Sequence, residues 1–506
     1  MHSAWQLFKR VVDHIENINI SIYHFLSFLF IILLRVFLES FADTDNLFSR
    51  EMHLHFVMFF PAIALSFIFL IRIITRESFK KIINIALHSF GLILLPPLID
   101  LVVSRGAGLN MDYLIPGVDT NLIYRYFFPV GKFFENGITP GLKVEAGIFL
   151  LLIFFYFILK TKSVLRSMMG LFFAYNIFFL FAATPFIVLP YCRIYDCFVV
   201  MTNVLINYFS VFSILLLVIL FFLFEKEKFK IIIGDSRFSR QVHYFLMFFF
   251  GIIIGAMQIG VNDALAVLRP DMIFVSAMGI IFGLLFSGIT NDIIDYNIDK
   301  ISNTDRPLVQ GKISLDFYKK LAWVALALSL FFASLNGYKS LFYQVLFIGN
   351  YFLYSMPPLR LKRVFFFSKL LISLNSLVLI FMGYSYFLPD LKTFPRLIIL
   401  IFLIGFTAAI QFIDIKDYEG DKKEGIITLP VFFGLKNSKI IIGLFFLINY
   451  LLFNFVVNNI YFLVLSILAG LWQFYLVNKK VYKEKQIFVL YLSSWLAFIF
   501  SYIFSS

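Results

Sequence analysis

The chain has 506 residues, 61% of them hydrophobic and only 14% charged, with 43 Lys and Arg against 30 Asp and Glu for a net charge of +13. Soluble domains carry about 25% charged residues, so this composition excludes a water-soluble globular enzyme. Apolar runs near or above 18 residues recur from end to end, the mark of transmembrane helices. In such a chain a basic excess marks cytoplasmic loops, so the bilayer is the expected partner and nucleic acid is not.

The segment Met1–Asn19 holds Lys9 and Arg10 but also Asp13 and Glu16. The next apolar run is not followed by an Ala-x-Ala-like site, so no cleaved signal peptide is expected. Spans of about 20 residues predict six helices in the first half, near 20–38, 53–72, 82–104, 146–160, 167–190 and 197–224. Polar groups interrupt this half. Arg35 and Glu39 stand four apart and could pair on one helix face, and Asp100 follows the Pro96-Pro97 kink. His53 and His55 are too sparse for a metal site, and His88 stands alone. The long loop from Arg105 to Lys143 has room for a lid or a re-entrant segment. Cys192 and Cys197, the two cysteines, fall in one loop, where a disulfide and two reduced thiols are both open.

A charged stretch, Glu225 to His243, reads as a linker and divides the chain into domains 1–230 and 236–506. The second half predicts nine helices, near 243–262, 271–290, 317–336, 340–356, 366–388, 394–413, 438–456, 459–477 and 486–504. Alternate loops are basic: Lys226 to Arg240, Lys300 to Lys312, Arg360 to Lys369, Lys416 to Lys439, Lys479 to Lys485. The positive-inside rule makes these loops cytoplasmic, with the N-terminus inside and the C-terminus outside.

Two acidic clusters close apolar runs in this half. Asn291 is followed by Asp292, Asp295 and Asp299; the later cluster is Asp414, Asp417 and Asp421. Both are spaced i, i+3, i+7, which on a continuous helix stacks three carboxylates on one face. Such stacking is costly unless a cation or a donor array lies against it. Four predicted crossings separate the clusters, so both fall on the cytoplasmic side and can share one ligand.

Asp and Asn oxygens suit Mg2+, which is commonly shared with substrate phosphates. A diphosphate needs such a metal to approach these acids, and it leaves more readily when metal-bound. Arg306, Arg360, Lys362, Arg363, Lys422 and Lys423 are candidate partners in the same loops. Behind them lies an apolar bundle rich in Phe and Tyr. Its rings could stabilise an allylic carbocation, and its dryness would protect one from water.

Asn-Asp-x-x-Asp-x-x-x-Asp followed by Arg-Pro and Gly-Lys-Ile-Ser resembles the first motif of the UbiA superfamily of intramembrane prenyltransferases. Asp414 to Val431 resembles its second motif, and Tyr354 to Lys362 the loop between them. The resemblance covers about residues 240–506; the N-terminal half resembles no recognised family. It implies an all-α polytopic membrane fold, a nine-helix bundle preceded by about six further helices. It implies Mg2+-dependent transfer of a prenyl group from an allylic prenyl diphosphate to a lipophilic acceptor, such as a quinone precursor or an ether-lipid glycerol phosphate. Carried residue by residue, Asn291, Asp295, Asp417 and Asp421 would hold the metal and diphosphate first, with Asp292, Asp299 and Asp414 as further ligands or orienters. Arg306, Arg360 and Lys362 would contact the diphosphate, and Tyr354 the cation or the phosphate. Ile301 to Asp305 lacks the His-Pro of the phosphoribosyl-transferring branch, which argues against that donor. The rival reading is a transporter or lipid flippase using the acids as cation sites. Those charges should lie near the bilayer midplane, whereas here they close apolar runs.

Overall fold

The computed structural model describes residues 2–43, 50–114, 122–127, 138–188, 197–364, 366–423 and 425–505. Among these residues every regular element is a helix. They form two compact units, Met1–Phe224 and Glu225–Ser506. Among the described residues fourteen helices are long and apolar enough to cross a membrane, six in the first unit and eight in the second. The chain is an integral, multi-pass membrane protein.

In the first unit α1 (His2–Glu16) precedes the spans. It is amphipathic rather than apolar throughout, so a rule that looks for apolar spans passes over it. It is fastened by Glu16, which is 3% exposed: Tyr156 and Lys160 donate to its carboxylate at 2.9 and 2.7 Å. The spans are α2 (Ile22–Ala42), α3 (Arg50–Thr75), α4 (Phe79–Ser89) continued by α5 (Leu95–Val103), α6 (Pro140–Thr161), α7 (Val164–Ala182) and α8 (Cys197–Phe224). The expected helix 82–104 is divided by a 3-10 turn, Phe90–Leu94. Pro96 and Pro97 follow it, and proline lacks the N–H that would continue the helical ladder. Asp100 is structural: its Oδ1 accepts from the Gly141 backbone N–H at 2.7 Å. The expected Arg35–Glu39 pair forms at 2.7 Å, with both side chains 2% exposed. Cys192 lies outside the described residues, and so do residues 115–121 and 128–137 of the expected lid between Arg105 and Lys143.

The second unit opens with α9 (Lys226–Asp235), so the stretch read as a linker is a helix of this unit. There follow α10 (Phe238–Ile259), α11 (Pro270–Ile294), α12 (Tyr296–Ser302), α13 (Leu315–Leu335), α14 (Tyr338–Ser355) and α15 (Phe367–Tyr384). The long α16 (Arg396–Lys423), α17 (Leu435–Leu452), α18 (Ile460–Asn478) and α19 (Glu484–Ser505) complete it. Helix α14 is the ninth expected here, though it is not among the fourteen apolar ones. Lys339, Gln344 and Asn350 lower its hydropathy, and the buried Gln344 amide donates to the Gly279 carbonyl at 3.0 Å and to Ser329 Oγ at 2.8 Å. A polar residue in a span is tolerated when neighbouring helices satisfy it.

Helices α10 and α15 cross at glycines. A Cβ on Gly251 would press into the Ile380 carbonyl oxygen, and one on Gly383 into the Phe248 carbonyl oxygen. Both obstacles are backbone, which cannot swing away. Gly383→Val is therefore expected to cost about 1–3 kcal/mol through overpacking. An unfolding temperature in detergent equal to the parent's would contradict this close approach.

Helix α16 is irregular before its acids. It holds a π turn at Ile401–Phe406 and a 3-10 turn at Ile410–Ile413, then runs regularly from Asp414. Such turns change the rotational phase of the residues beyond them and so decide which way the acidic stretch faces.

Candidate active site

The acidic clusters meet at one cavity of about 200 Å3. Its wall is built by the ends of α11 and α16, the start of α10 and the segment after α14. Asn291, Asp295, Asp299, Asp414, Asp417 and Asp421 all line it. Arg306, Lys362 and Tyr354 line it as well.

The first cluster departs from a single helical face. Helix α11 ends at Ile294, Asp295 caps it with φ −87° and ψ 6°, and α12 restarts at Tyr296. Asp295 and Asp299 both face the cavity, whereas Asp292 does not. Asp292 lies outside the cavity lining, held by Arg237 at 2.5 Å with the Arg306 Nε at 3.9 Å. Asp295 accepts from Arg360 Nη2 at 2.6 Å and also pairs with Lys362. Asp299 accepts from Asn303 Nδ2 at 2.9 Å. Burial pushes the Asp299 carboxyl above the ordinary range, against the pull of Asn303 and Arg306. Asn291 Oδ1 accepts from Ser355 Oγ at 2.8 Å and from Lys362 Nζ at 3.4 Å.

The second cluster keeps one continuous helix. Asp414 is buried and paired with Lys369 at 2.6 Å, the lysine side chain being 3% exposed. Asp417 and Asp421 face the cavity one turn apart, and among the described residues neither has an ion-pair partner.

The basic candidates divide. Lys362 reaches the cavity, and burial lowers its pKa against the opposing pull of Asp295. Arg360 stands outside the lining and braces Asp295 from a left-handed backbone, φ 42°, a conformation that non-glycine residues seldom adopt. Arg306 donates to Asp235 Oδ1 at 2.7 Å, and the Tyr318 hydroxyl approaches the other oxygen at 3.5 Å. Arg363, Lys422 and Lys423 are exposed and lie outside the lining.

Sequence reasoning missed Asp235, Arg237, Arg240 and Lys369, all of which line the cavity. For Lys369 a signal existed. It shares its span with Ser368, Ser373, Asn375 and Ser376, all buried, and a buried charge in a span calls for a partner. The other three sit in what read as linker, where charge is ordinary.

Asp, Asn and Ser oxygens converging beside two unpaired carboxylates fit a hard divalent cation. Among the described residues no three His, Cys, Asp or Glu side chains are close enough to hold a metal by themselves. Mg2+ takes one or two protein carboxylates and completes its shell with water and phosphate.

Residues 246–495 match the UbiA prenyltransferase family. Among curated proteins, the chain is 33% identical over 209 residues to a digeranylgeranylglyceryl phosphate synthase of Saccharolobus solfataricus, covering 39% of this chain and 70% of that one. A protein of the same name from Methanobrevibacter smithii is 29% identical over 174 residues, 33% of this chain and 61% of that one. A 2-acyl-4-prenylphloroglucinol 6-prenyltransferase of Humulus lupulus is 31% identical over 203 residues, 36% of this chain and 47% of its own length. The chain thus spans about half to seven-tenths of these relatives. A solved UbiA homologue from Archaeoglobus fulgidus bound to GPP and Mg2+ aligns with TM-score 0.43 at 20% identity, covering 54% of this chain and 99% of that one.

Proposed function

The chain belongs to the UbiA prenyltransferase family, and from that premise we propose that its second unit transfers a prenyl group from an allylic prenyl diphosphate to a lipophilic acceptor, with Mg2+. The observation that carries this reading is the meeting of Asp295 and Asp417 at one cavity. The names of the archaeal relatives favour a prenylglyceryl phosphate as acceptor. The name of the hop relative keeps an aromatic, quinone-precursor type as the second reading.

Asp417 and Asp421, with Asn291, would hold the metal. Charge on the departing diphosphate would be neutralised by Mg2+ held there. The chain's own cations do the rest. Lys362 and Arg306 reach the cavity and would hold diphosphate oxygens. Arg360 keeps the Asp295 carboxylate in place, so Lys362 has a fixed neighbour. The prenyl chain would lie along Leu284 and Leu285, which line the apolar side of the same cavity. Tyr354 lines the cavity too and would offer its ring face to charge developing at C1. As the bond from C1 to the diphosphate oxygen breaks, the acceptor's nucleophilic oxygen or carbon bonds to C1 and then gives up its proton. The basic loops favour a cytoplasmic cavity, with the N-terminus inside and the C-terminus outside. A transporter would need its acids near the midplane; Asp295 instead caps a helix end.

Full-length protein in detergent, supplied with geranylgeranyl diphosphate, Mg2+ and either acceptor, tests the reading by mass spectrometry of extracted lipids. A new prenylated glyceryl phosphate is expected. No prenylated product from either acceptor would refute the assignment.

Asp235 is a positioning residue in this scheme, since it orients Arg306. Asp235→Ala removes a charge-assisted bond of about 1.5–3 kcal/mol. A fall in kcat/KM of about tenfold or more is expected, carried by KM for the diphosphate and accompanied by little change in Mg2+ dependence. A parental KM would show that Arg306 is held by other means.

A further inference from the structure

The first unit contains a separate and larger cavity, about 1310 Å3. Pockets for small molecules run about 300–1,000 Å3, and this one is also elongated. It follows α3 from Glu51 to Ile71, about 30 Å at 1.5 Å per residue. Phe and Ile dominate its walls, and Phe8, Val12 and Ile15 of α1 close one end.

Every charged side chain in the lining gathers at the other end, where α2 finishes and α3 and α6 begin. Arg35 is 2% exposed there. Its Nη2 meets Glu39 at 2.7 Å and the Met111 sulfur at 3.6 Å. Its Nε and Nη1 have no acceptor among the described residues. Glu145 on α6 lines the same end, and its carboxylate has no hydrogen-bond donor among the described residues. His55 completes the polar end, bonded to the Tyr113 hydroxyl at 2.7 Å.

A buried guanidinium with unused N–H groups calls for an acceptor, and a carboxylate beside it calls for a donor. One group that is both is a hydroxyl. A phosphate would answer Arg35 but would place further negative charge against Glu39 and Glu145. Acidic side chains already outnumber basic ones in the lining. We infer that the first unit binds an uncharged, hydroxyl-headed long-chain lipid, its chain lying along α3 and its head between Arg35 and Glu145.

The test uses full-length protein in nanodiscs and two photoactivatable probes with identical diazirine-bearing acyl chains. One is a diacylglycerol with a free hydroxyl, the other its phosphate ester. Saturable labelling of α3 and α6 peptides by the diacylglycerol probe is expected, about tenfold above the phosphate probe. Gly147 lines the cavity, and a Cβ there meets nothing within 4 Å. Gly147→Leu should therefore fold, keep the parental unfolding temperature and lose about tenfold in labelling. Glu145→Leu should instead abolish the preference, bringing the two probes to parity. Equal labelling of the parent by both probes would overturn the head-group assignment. Labelling that does not saturate, or that Gly147→Leu leaves unchanged, would mean contact with bulk lipid and overturn the site.

Discussion

Asp417→Asn is expected to lower kcat/KM for prenyl transfer by about two to three orders of magnitude, the scale on which a preorganised electrostatic contact acts at developing charge. The Asp417 carboxylate faces the cavity with no basic partner among the described residues. The substitution keeps size and removes only charge, so it strands no buried cation and leaves the fold alone. Initial rates measured across a Mg2+ titration check it. The deficit should shrink as Mg2+ rises, because affinity for metal is part of what is lost, but should persist at saturation. Parental rates at saturating Mg2+ would remove Asp417 from the site. Asp295→Asn should differ in kind. Asp295 is gripped by Arg360 and Lys362, so neutralising it frees two cations beside the diphosphate position. Affinity for diphosphate alone should hold or rise while turnover falls.

The second large effect concerns the pair beneath the acids. Lys369 and Asp414 are 2% and 7% exposed and meet at 2.6 Å. Removing one member of a buried pair leaves an uncompensated charge and costs about 3–5 kcal/mol, whereas replacing both with apolar groups can be nearly neutral. Lys369→Met is thus expected to lower the unfolding temperature in detergent markedly. Lys369→Met with Asp414→Leu should recover most of that loss without restoring transfer, since Asp414 also lines the cavity. Equal destabilisation in the single and double variants would show that the pair is not what the lysine supplies.

Helix positions were legible because a bilayer leaves the chain little choice. Each span must satisfy its own backbone, so apolar stretches of about 20 residues announce themselves. Six expected helices in the first half and nine in the second have counterparts among the described residues. Helix α14 was legible by length even though Gln344 depresses its hydropathy. The acids stood out for the complementary reason, since charge that closes an apolar run needs a purpose.

What sequence could not supply was direction and partnership. Of three aspartates spaced for one helical face, Asp292 parts from the two that line the cavity; the helix breaks at Asp295, and no glycine or proline marks that break. Asp292 consequently turns to Arg237, fifty-five positions earlier in the chain. The role of Asp235 depends on Arg306, seventy-one positions away. A residue whose meaning lies in a distant partner looks ordinary in its own neighbourhood. The same holds for α9, which read as linker because its charges are those of any cytoplasmic loop.

On the proposed function, Asn291 of α11 and Asp417 and Asp421 of α16 grip one diphosphate through a divalent ion. Calorimetric titration of the full-length protein with a non-reacting prenyl thiolodiphosphate, in Mg2+ and again in EDTA, measures this directly. Binding in Mg2+ that weakens about a hundredfold or more in EDTA, and that weakens likewise in Asp417→Asn with Mg2+ present, is the expected result. Affinity indifferent to both the metal and Asp417 would contradict it.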